Sequence, residues 1–307
     1  MRTQLSILVG VAVAGLIAQA CSENTSPLDD RAQVVVAVQA QLGSMMSDSG
    51  FGEVGAVATG APSTASVLPA LSAADSAAAP SFWGRIRIVP GGPKPMIEKD
   101  ITIVGDSAWV TLTVHFQGIF LVDTSADGVF DPTAKPLQEY FTQRAVLVRD
   151  ESARRHWRAV KLSPSDWQPT AVARQTVHVT DVKLFRNDTL LLDVSNPDSL
   201  YDVERRIPRF RLGDSVKVVA SVTNTTGGSY APATFVFLHI RHADPDHDGW
   251  ERVRMHDNGD GTYQRIWLAR RTGRDRFAVD AIDAATLALG TADNYRASIV
   301  GIPFRIE

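Results

Sequence analysis

Apolar and polar residues alternate with a period of two along much of the chain from residue 82 onward. The segments 82–88 (FWGRIRI) and 110–116 (VTLTVHF) both show this alternation. Because successive side chains of a strand point to opposite faces, the period is typical of half-buried β-strands. Further strand-like runs are 101–104, 118–122, 143–149 and 157–162. Residues 82–170 are therefore predicted to form a mostly antiparallel β domain.

The order of turns and strands in this region resembles that of a known fold. A Gly-Asp-Ser turn at 105–107 precedes a long hairpin, and the runs 144–149 (RAVLVR) and 156–160 (HWRAV) follow it. This order resembles the curved sheet of the nuclear-transport-factor-like cone folds, which implies helices packed in the concave face. Only residues 29–46 are available to supply one. A small sandwich or an open barrel is the alternative.

The C-terminal region, residues 175–307, is predicted to form an antiparallel β-sandwich. About eight short strands follow one another there with turn residues between them. The predicted strands are 177–185, 190–194, 215–223, 234–240, 251–255, 262–268, 276–281 and 298–306. The whole chain is therefore expected to be mainly β.

Two motifs of the C-terminal region resemble those of a known family. The run 212–218 (LGDSVKV) followed by 222–224 (VTN) resembles the second strand of bacterial immunoglobulin-like domains. The run 257–263 (DNGDGTY), with Gly273 and 277–281 (FAVDA), is similar to the hairpin of filamin-type repeats. The resemblance covers about 40% of the chain and implies an immunoglobulin-like sandwich. Because these motifs consist of turn-forming residues, they indicate a fold and not an activity.

One amphipathic helix is predicted ahead of the strands. Apolar residues from Val35 to Met45 recur at three- and four-residue spacing, which predicts a helix over 29–46. Residues 50–80 are rich in Ala, Ser, Gly and Pro, so they bury too little surface to offset the entropy of ordering them. We expect residues 21–81 to form a tether with one short helix and a flexible linker.

The first twenty residues have the layout of a secretory signal peptide. Arg2 precedes an uncharged apolar run from Leu5 to Ala18, which is too short for a membrane-spanning helix. The run 17–21 (IAQAC) resembles the lipobox of bacterial lipoproteins. The resemblance implies that residues 1–20 are removed and that Cys21 carries a lipid. An ordinary cleaved signal followed by an unmodified cysteine is the alternative.

The cysteine count favours the lipid interpretation. Cys21 is the only cysteine, whereas a secreted fold stabilised by disulfides has an even set. Each buried methylene of an acyl chain contributes roughly 0.8 kcal/mol, so two or three chains anchor a protein stably. We therefore expect the body in the bacterial cell envelope, tethered to a membrane by its N-terminus. Ser22 stands where inner-membrane lipoproteins carry a retention aspartate, which favours the outer membrane.

Composition and charge change this picture little. A hydrophobic content of 44% and a charged content of 21% are ordinary for a globular chain. The net charge of -3 and the pI of about 6.2 give no basic excess. Neither nucleic acid nor an anionic lipid surface is therefore an expected partner.

The sharpest candidate for chemistry is the acidic loop 244–249 (DPDHDG). Acids at every second position resemble the start of a calcium loop, but the twelfth position, which carries a bidentate Glu in an EF-hand, is Met255. A looser calcium site with carboxylates from the neighbouring hairpin remains. Its candidate ligands are Asp244, Asp246, Asp248, Asp257 and Asp260. A solvated acidic turn is the alternative, because Asp and Gly favour turns.

Other metal candidates are weaker on geometric grounds. The acidic loop 123–131 (DTSADGVFD) offers a second place for calcium, with a plain long turn as the alternative. His239, His242 and His247 are close in sequence, but residues 239 and 242 of one strand point to opposite faces. A zinc site needs a tetrahedral set of ligands, to which no cysteine can contribute here. Ordinary surface or edge histidines are the simpler interpretation.

Hydrolase and glycan motifs are also present in part. Gly-Asp-Ser triplets at 105–107 and 213–215, with the Asp-x-x-His run 244–247, resemble the sequence blocks of a lipase and esterase family. Both triplets precede predicted strands, whereas the family's nucleophile precedes a helix. A stacking platform for glycans is a further possibility, with core packing as the alternative. Its aromatic candidates are Trp109, Trp157, Trp167, Trp250, Trp267, Tyr230 and Tyr263.

Together these patterns favour a membrane-anchored binding or scaffold module for a protein or glycan partner. No catalytic set emerges from the sequence, so a role other than catalysis is preferred. The alternative is a metal-dependent or hydrolytic envelope enzyme that uses the loop from Asp244 to Asp248.

Overall fold

The computed structural model describes residues 30–46, 82–89, 91–125, 129, 131–150, 152, 156–227, 230–241, 250–288 and 295–307. Antiparallel sheets make up most of this part of the chain, and one 17-residue helix precedes them, as the sequence predicts. None of the helices in these ranges has the length and apolarity needed to cross a bilayer. The predicted signal peptide, Cys21 and the linker at 50–80 lie outside the described residues.

The elements follow one another along the chain in a simple order. Helix α1 spans Asp30–Met46, and the single-turn helix α2 spans Ala284–Leu287. The strands are β1 (Phe82–Ile86), β2 (Met96–Val104), β3 (Ser107–Asp123), β4 (Thr133–Arg149), β5 (Trp157–Leu162), β6 (Ser165–Pro169), β7 (Val177–Arg186), β8 (Thr189–Val194), β9 (Tyr201–Asp202), β10 (Arg209–Phe210), β11 (Ser215–Asn224), β12 (Thr234–Arg241), β13 (Trp250–Arg254), β14 (His256–Asp257), β15 (Thr262–Leu268), β16 (Gly273–Asp283) and β17 (Ala297–Ile306).

One sheet of 12 strands runs through most of the molecule. Its main path is β1-β3-β4-β6-β17-β16-β12-β13, and β2, β5, β9 and β10 pair beside this path. The pairs are antiparallel except for the short parallel pair of β10 with β17. Strand β6 pairs with β4 on one side and with β17 on the other. The sheet therefore continues without a break from the region predicted at 82–170 into the region predicted at 175–307.

A second sheet of five strands, β14-β15-β11-β7-β8, completes a sandwich. It packs over β12, β16 and β17 of the larger sheet, and a core of buried apolar residues fills the space between. Alternate residues of β16, namely Phe277, Val279 and Ala281, point into this core. The predicted antiparallel sandwich is thus present in the C-terminal region.

The larger sheet curls strongly, so that strands far apart in its order face each other. Strands β1 and β16 are five steps apart, which in a flat sheet would be about 24 Å. Nevertheless Arg85 of β1 contacts Asp280 of β16 directly. Strands β1 and β13 are seven steps apart, yet Arg252 Nη1 donates a hydrogen bond to the Trp83 carbonyl at 2.9 Å. The curl encloses a concave interior.

Helix α1 covers one end of this interior. Its apolar face packs Leu42 and Met45 against Leu147 of β4 and Trp157 of β5. Gln41 fixes the helix further, because its Nε2 donates to the Trp157 carbonyl at 2.6 Å. The rest of the interior is closed by β12, β16 and β17, through the face that points away from the sandwich core.

Some strands differ from the sequence prediction. The predicted runs 110–116 and 118–122 are parts of one 17-residue strand, β3. Gly118 lies where β1 crosses closely, since a Cβ added there would lie 2.0 Å from the Ile86 carbonyl oxygen. Strands β6, β9, β10 and β14 were not predicted, because two to five residues are too few to show a period.

Candidate functional site

The predicted calcium site is only partly within the described residues. Asp244, Asp246 and Asp248 lie outside them. The Asp257 Oδ1 accepts from the Gly259 N–H at 2.8 Å, and the Asp260 Oδ1 accepts from the Thr262 N–H at 2.9 Å. Both carboxylates thus bond within their own turns. Across the described ranges, no cluster of three or more His, Cys, Asp or Glu side chains could hold a metal ion.

The weaker candidates from the sequence also fail to come together as sites within the described residues. His239 is buried in the curled sheet, whereas His242 and His247 lie outside the described residues. Asp123 of the second acidic loop is buried and accepts from the Ser125 N–H at 2.8 Å. Both Gly-Asp-Ser triplets are turns that lead into strands β3 and β11, as expected, so neither serine precedes a helix.

The predicted aromatic platform does not form. Trp157, Trp167 and Trp267 are buried in three different apolar clusters. Trp109 is half exposed on β3, and Tyr230 lies in a loop before β12. Most of these rings therefore pack in cores, which was the alternative for them.

The most unusual site is a set of charged and polar side chains inside the curled sheet, which we call the ionic centre. Its members are Arg85, Arg87, Glu139, His239, Asp280 and Tyr295, each at most 3% exposed. Arg85 donates two parallel hydrogen bonds to Asp280, at 2.5 and 2.9 Å. His239 Nε2 lies 2.9 Å from the same carboxylate. Asp280 thus joins β1, β12 and β16 through one side chain.

A second half of the ionic centre continues from Arg85. Its Nε donates to the Tyr295 hydroxyl at 2.8 Å, and that hydroxyl donates to Glu139 Oε2 at 2.8 Å. The other oxygen of Glu139 accepts from Arg87 Nε. Two guanidinium groups therefore meet two carboxylates, and the charge of the four groups balances.

Burial and charge act together on the ionisation of this centre. Burial alone would raise the pKa of Asp280, but the Arg85 guanidinium and the bond from His239 outweigh it and hold that pKa well below its ordinary value. Burial also raises the pKa of Tyr295 far above its usual range, so the phenol stays protonated. Burial lowers the pKa of Arg85, but the attraction of Asp280 outweighs this and raises it. The pair Arg85–Asp280 is therefore ionised throughout the ordinary pH range.

Aromatic rings flank the two guanidinium groups. The Arg87 Cζ lies 4.4 Å from the ring centroid of Trp167, and the Arg85 Cζ lies 5.1 Å from that of Trp83. The Arg252 Cζ lies 3.7 Å from the centroid of the same Trp83 ring. Cation–π attraction is strongest when the pair is shielded from water, as it is here. The centre is thus enclosed by apolar rings that exclude solvent.

This enclosure decides what the ionic centre can do. A general acid or base must reach its substrate within hydrogen-bonding distance. None of the six side chains is more than 3% exposed, so a ligand in solution does not reach them. The centre instead fixes the curl of the sheet, because it ties β1 to β4, β12 and β16.

Sequence reasoning missed this centre because the alternation of apolar and charged residues in 82–88 was taken to show which side chains are buried. In the structure Trp83, Arg85 and Arg87 point inward, and Ile88 is 55% exposed. One signal was available: Asp280 is a lone carboxylate in the apolar run 277–282 of β16. A charge within a continuous apolar strand indicates a buried partner of opposite sign.

A second candidate is an apolar cleft between α1 and the β2–β3 hairpin, with a volume of about 260 Å³. Buried Val110 and half-buried Leu112 of β3 line it on one side, and Val35 and Val38 of α1 line it on another. The full lining is Val35, Val38, Gln39, Gly43, Met46, Ile97, Lys99, Val110, Leu112 and Val114. Ile97 at the rim is 53% exposed. Unlike the ionic centre, the cleft is open to solvent.

The cleft lies along a sheet edge. Strand β2 pairs with β3, and within the described chain no other strand pairs with it. Its residues 97 and 99 line the cleft, so the strand offers both a surface for side chains and a row of backbone groups. Such an edge can accept an added strand.

No family model matches the chain, and neither the curated proteins nor the solved structures contain a match to it.

Proposed function

We propose that this chain is a lipid-anchored binding module of the bacterial cell envelope, and that its ligand contacts the apolar cleft between α1 and the β2–β3 hairpin. In this proposal Cys21 carries the lipid, residues 1–20 are removed and the outer membrane holds the anchor. The sandwich at 175–307 serves as an immunoglobulin-like support, which its two antiparallel sheets around one core favour.

The observation that carries the proposal is the open apolar cleft. Helix α1 buries Leu42 and Met45 fully, yet it leaves Val35 and Val38 beside an open space. Concave apolar surface with a few polar groups at its rim is typical of binding sites. The neighbouring edge of β2 adds backbone donors and acceptors for an extended segment.

The chemistry of the lining favours a protein partner over a glycan. Six of the lining residues are aliphatic and Met46 is also apolar, whereas Gln39 and Lys99 supply the polar side chains. A sugar needs more hydrogen-bonding groups and an aromatic face, whereas aliphatic side chains of an extended peptide fit such a cleft. We therefore infer a partner segment that pairs with β2 and inserts apolar side chains.

The anchor would place this cleft near a membrane. Cys21 is nine positions before Asp30, where α1 begins. Nine residues span at most about 30 Å when fully extended. A lipid on Cys21 would thus keep the cleft within reach of partners that are themselves bound to the membrane.

Blocking the cleft tests the binding site. A Cβ added at Gly43 meets no atom within 4 Å, so Gly43→Leu would fill the cleft without displacing the core. We expect this variant to bind the neutral fluorophore N-phenyl-1-naphthylamine at least tenfold more weakly than the unaltered chain, measured by fluorescence titration. Gly43→Ala is the matched control and should retain binding. Equal binding by the leucine variant would refute the assignment of the cleft.

Mass spectrometry of the protein from its native host tests the anchor. We expect residues 1–20 to be absent and Cys21 to carry a diacylglyceryl group. Cys21→Ser should move the protein from the membrane fraction to the soluble fraction. An unmodified thiol, or an intact N-terminus, would rule out the lipidated form.

A further inference from the structure

The fold gathers eight arginines at one end of the sandwich, which we call the arginine-rich end. They come from three separate parts of the chain, 205–211, 270–274 and position 305, and the pairing of strands brings these parts together. They are Arg205, Arg206, Arg209, Arg211, Arg270, Arg271, Arg274 and Arg305.

Strand register explains why these arginines meet. Arg209 of β10 pairs with Arg305 of β17, which in turn pairs with Arg274 of β16. The loop after β10 joins the loop after β15, because the Gly213 N–H donates to the Ala269 carbonyl at 2.7 Å. The cluster is therefore created by strand pairing and is not visible in the order of residues along the sequence.

The charge at this end is positive although the chain as a whole is not. The eight arginines and Arg186, which pairs with Asp214, are balanced in part by five carboxylates, so the local excess is four positive charges in a chain of net charge -3. The carboxylates are Asp202, Glu204, Asp214, Asp275 and Glu307. The acids pair mainly with Arg209, Arg274 and Arg305. Arg270 and Arg271 are exposed and form no ion pair with any described residue.

Apolar residues accompany these arginines. Leu212, next to Arg211, is 58% exposed, and Leu268, just before Arg270, is 46% exposed. A cavity of about 200 Å³ opens here between the two sheets and is lined by Arg270, Arg271 and Trp267. Arg265 and Glu251 also line it, which leaves the charge excess unchanged. The surface thus combines guanidinium groups with exposed aliphatic side chains.

The arginine-rich end adjoins the helix that leads toward Cys21. Arg274 Nη1 donates to the Gln41 carbonyl of α1 at 3.0 Å. Gln41 is 11 residues from Asp30, about 16 Å along a helix. This end and the start of α1 are therefore close enough to face the same surface.

We propose that the arginine-rich end docks on the anionic phospholipid headgroups of the membrane to which the chain is anchored. Guanidinium groups bind phosphate through two parallel hydrogen bonds, and exposed leucines enter the headgroup region. Clusters of basic residues near a membrane surface are attracted to anionic lipid. The orientation at the anchor rests on the proposed function, whereas the headgroup contact does not need it.

Vesicle binding tests this surface without the lipid anchor. The full chain carrying Cys21→Ser, which cannot be acylated, is sedimented with vesicles of phosphatidylcholine or of phosphatidylcholine with 30% phosphatidylglycerol. We expect at least tenfold tighter binding to the anionic vesicles, and loss of this preference at 1 M NaCl, where the Debye length is about 3 Å. Equal binding to both kinds of vesicle would overturn the proposal, even if Cys21 is lipidated in the native protein.

Paired charge variants identify the surface. In the same background, Arg270→Ala with Arg271→Ala should weaken binding to the anionic vesicles by at least tenfold, since each basic residue contributes about fivefold. Arg144→Ala with Arg158→Ala removes the same charge from β4 and β5 and should leave binding unchanged. Thermal unfolding verifies that both double variants are folded. Unchanged binding by the first pair, or tight binding of soluble polyphosphate with none of anionic vesicles, would refute membrane docking.

Discussion

Asp280 shows how much of this fold depends on single side chains. The residue is fully buried, and Arg85 and His239 both bond to its carboxylate. A buried ion pair is costly to desolvate, so its presence is weak support for stability. Removing one partner of the pair is nevertheless strongly destabilising, because the remaining charge is then buried without a counter-charge.

Asp280→Asn should therefore destabilise the protein by about 3–5 kcal/mol. The folded pKa of Asp280 lies below its unfolded value of about 3.9, so its stabilising effect is complete above about pH 5 and is lost as the pH falls below 4. The variant should accordingly lose less stability between pH 5 and pH 3 than the unaltered protein. Urea unfolding at several pH values measures both effects.

Asp188→Asn is the matched control for that experiment. Asp188 pairs with Lys217 at 2.7 Å, and this bond lowers its pKa, but the carboxylate is exposed. Its backbone φ of +61° is one that Asn adopts readily. We expect no measurable change in stability. A similar loss in both variants would show that the ionic centre has no special role.

At the scale of residues, sequence reasoning located few of the functional groups. Buried charges were not predicted, because an alternating strand such as 82–88 gives no indication of which face is inside when a second layer covers both. Asp257 and Asp260 were predicted as possible ligands, but their oxygens bond to the N–H groups of their own turns. Such local bonds are the ordinary reason for acids in turns.

Two glycines show how elements fit together. Gly118 of β3 lies against β1, and an added Cβ would lie 2.0 Å from the Ile86 carbonyl oxygen. Gly43 of α1 faces the open cleft, where an added Cβ meets nothing within 4 Å. The same substitution is therefore expected to have opposite effects at the two positions.

Gly118→Ala should destabilise the protein by about 1–3 kcal/mol, because the backbone of β1 must move to make room. Gly43→Ala should stabilise it by about 1 kcal/mol, since alanine favours a helix over glycine. Midpoints of urea unfolding compare the two variants directly. Two shifts of the same sign would contradict the packing described for β1 and α1.

At the scale of elements, the sequence was more informative. Helix α1 and half-buried strands such as β7 follow from periods of 3.6 and 2, because each buries one side of a regular element. Strands β16 and β17 are buried on both faces and show no such alternation. The short strands β6, β9, β10 and β14 have no period to detect. Strands far away in the sequence supply partners for β6, β9 and β10, whereas β14 pairs with the neighbouring strand β15. No local sequence pattern predicts pairing between strands that are far apart in the sequence.

The single curled sheet governs the behaviour of the whole molecule. Strand β6 joins β4 to β17, and the ionic centre ties β1 to β16, so the regions 82–170 and 175–307 share a core. Removing either region would expose the apolar clusters around Trp167 and Phe237. The core between the two sheets of the sandwich lies within 175–307, whereas these two clusters take residues from both regions.

We therefore expect one cooperative thermal transition for the described body. Calorimetry should give a ratio of calorimetric to van't Hoff enthalpy near one, as for a single folding unit. Two resolved transitions would contradict a shared core.

The whole-molecule arrangement was also the least predictable from sequence. A net charge of -3 suggested no anionic partner, yet strand pairing collects eight arginines at one end. The sandwich could be predicted from its turns, whereas its merger with the preceding sheet could not, since β6 looks like part of a loop in the sequence.

The bond between Arg85 and Asp280 joins positions that are 195 residues apart. During synthesis β1 is made long before β16, so the Arg85 guanidinium has no carboxylate partner until β16 has been made. Such a fold forms late and slowly, because long chain loops must close before their contacts stabilise anything. A chain that ends before β16 cannot close the curled sheet. We expect such a truncated chain to stay unfolded and to be degraded by proteases.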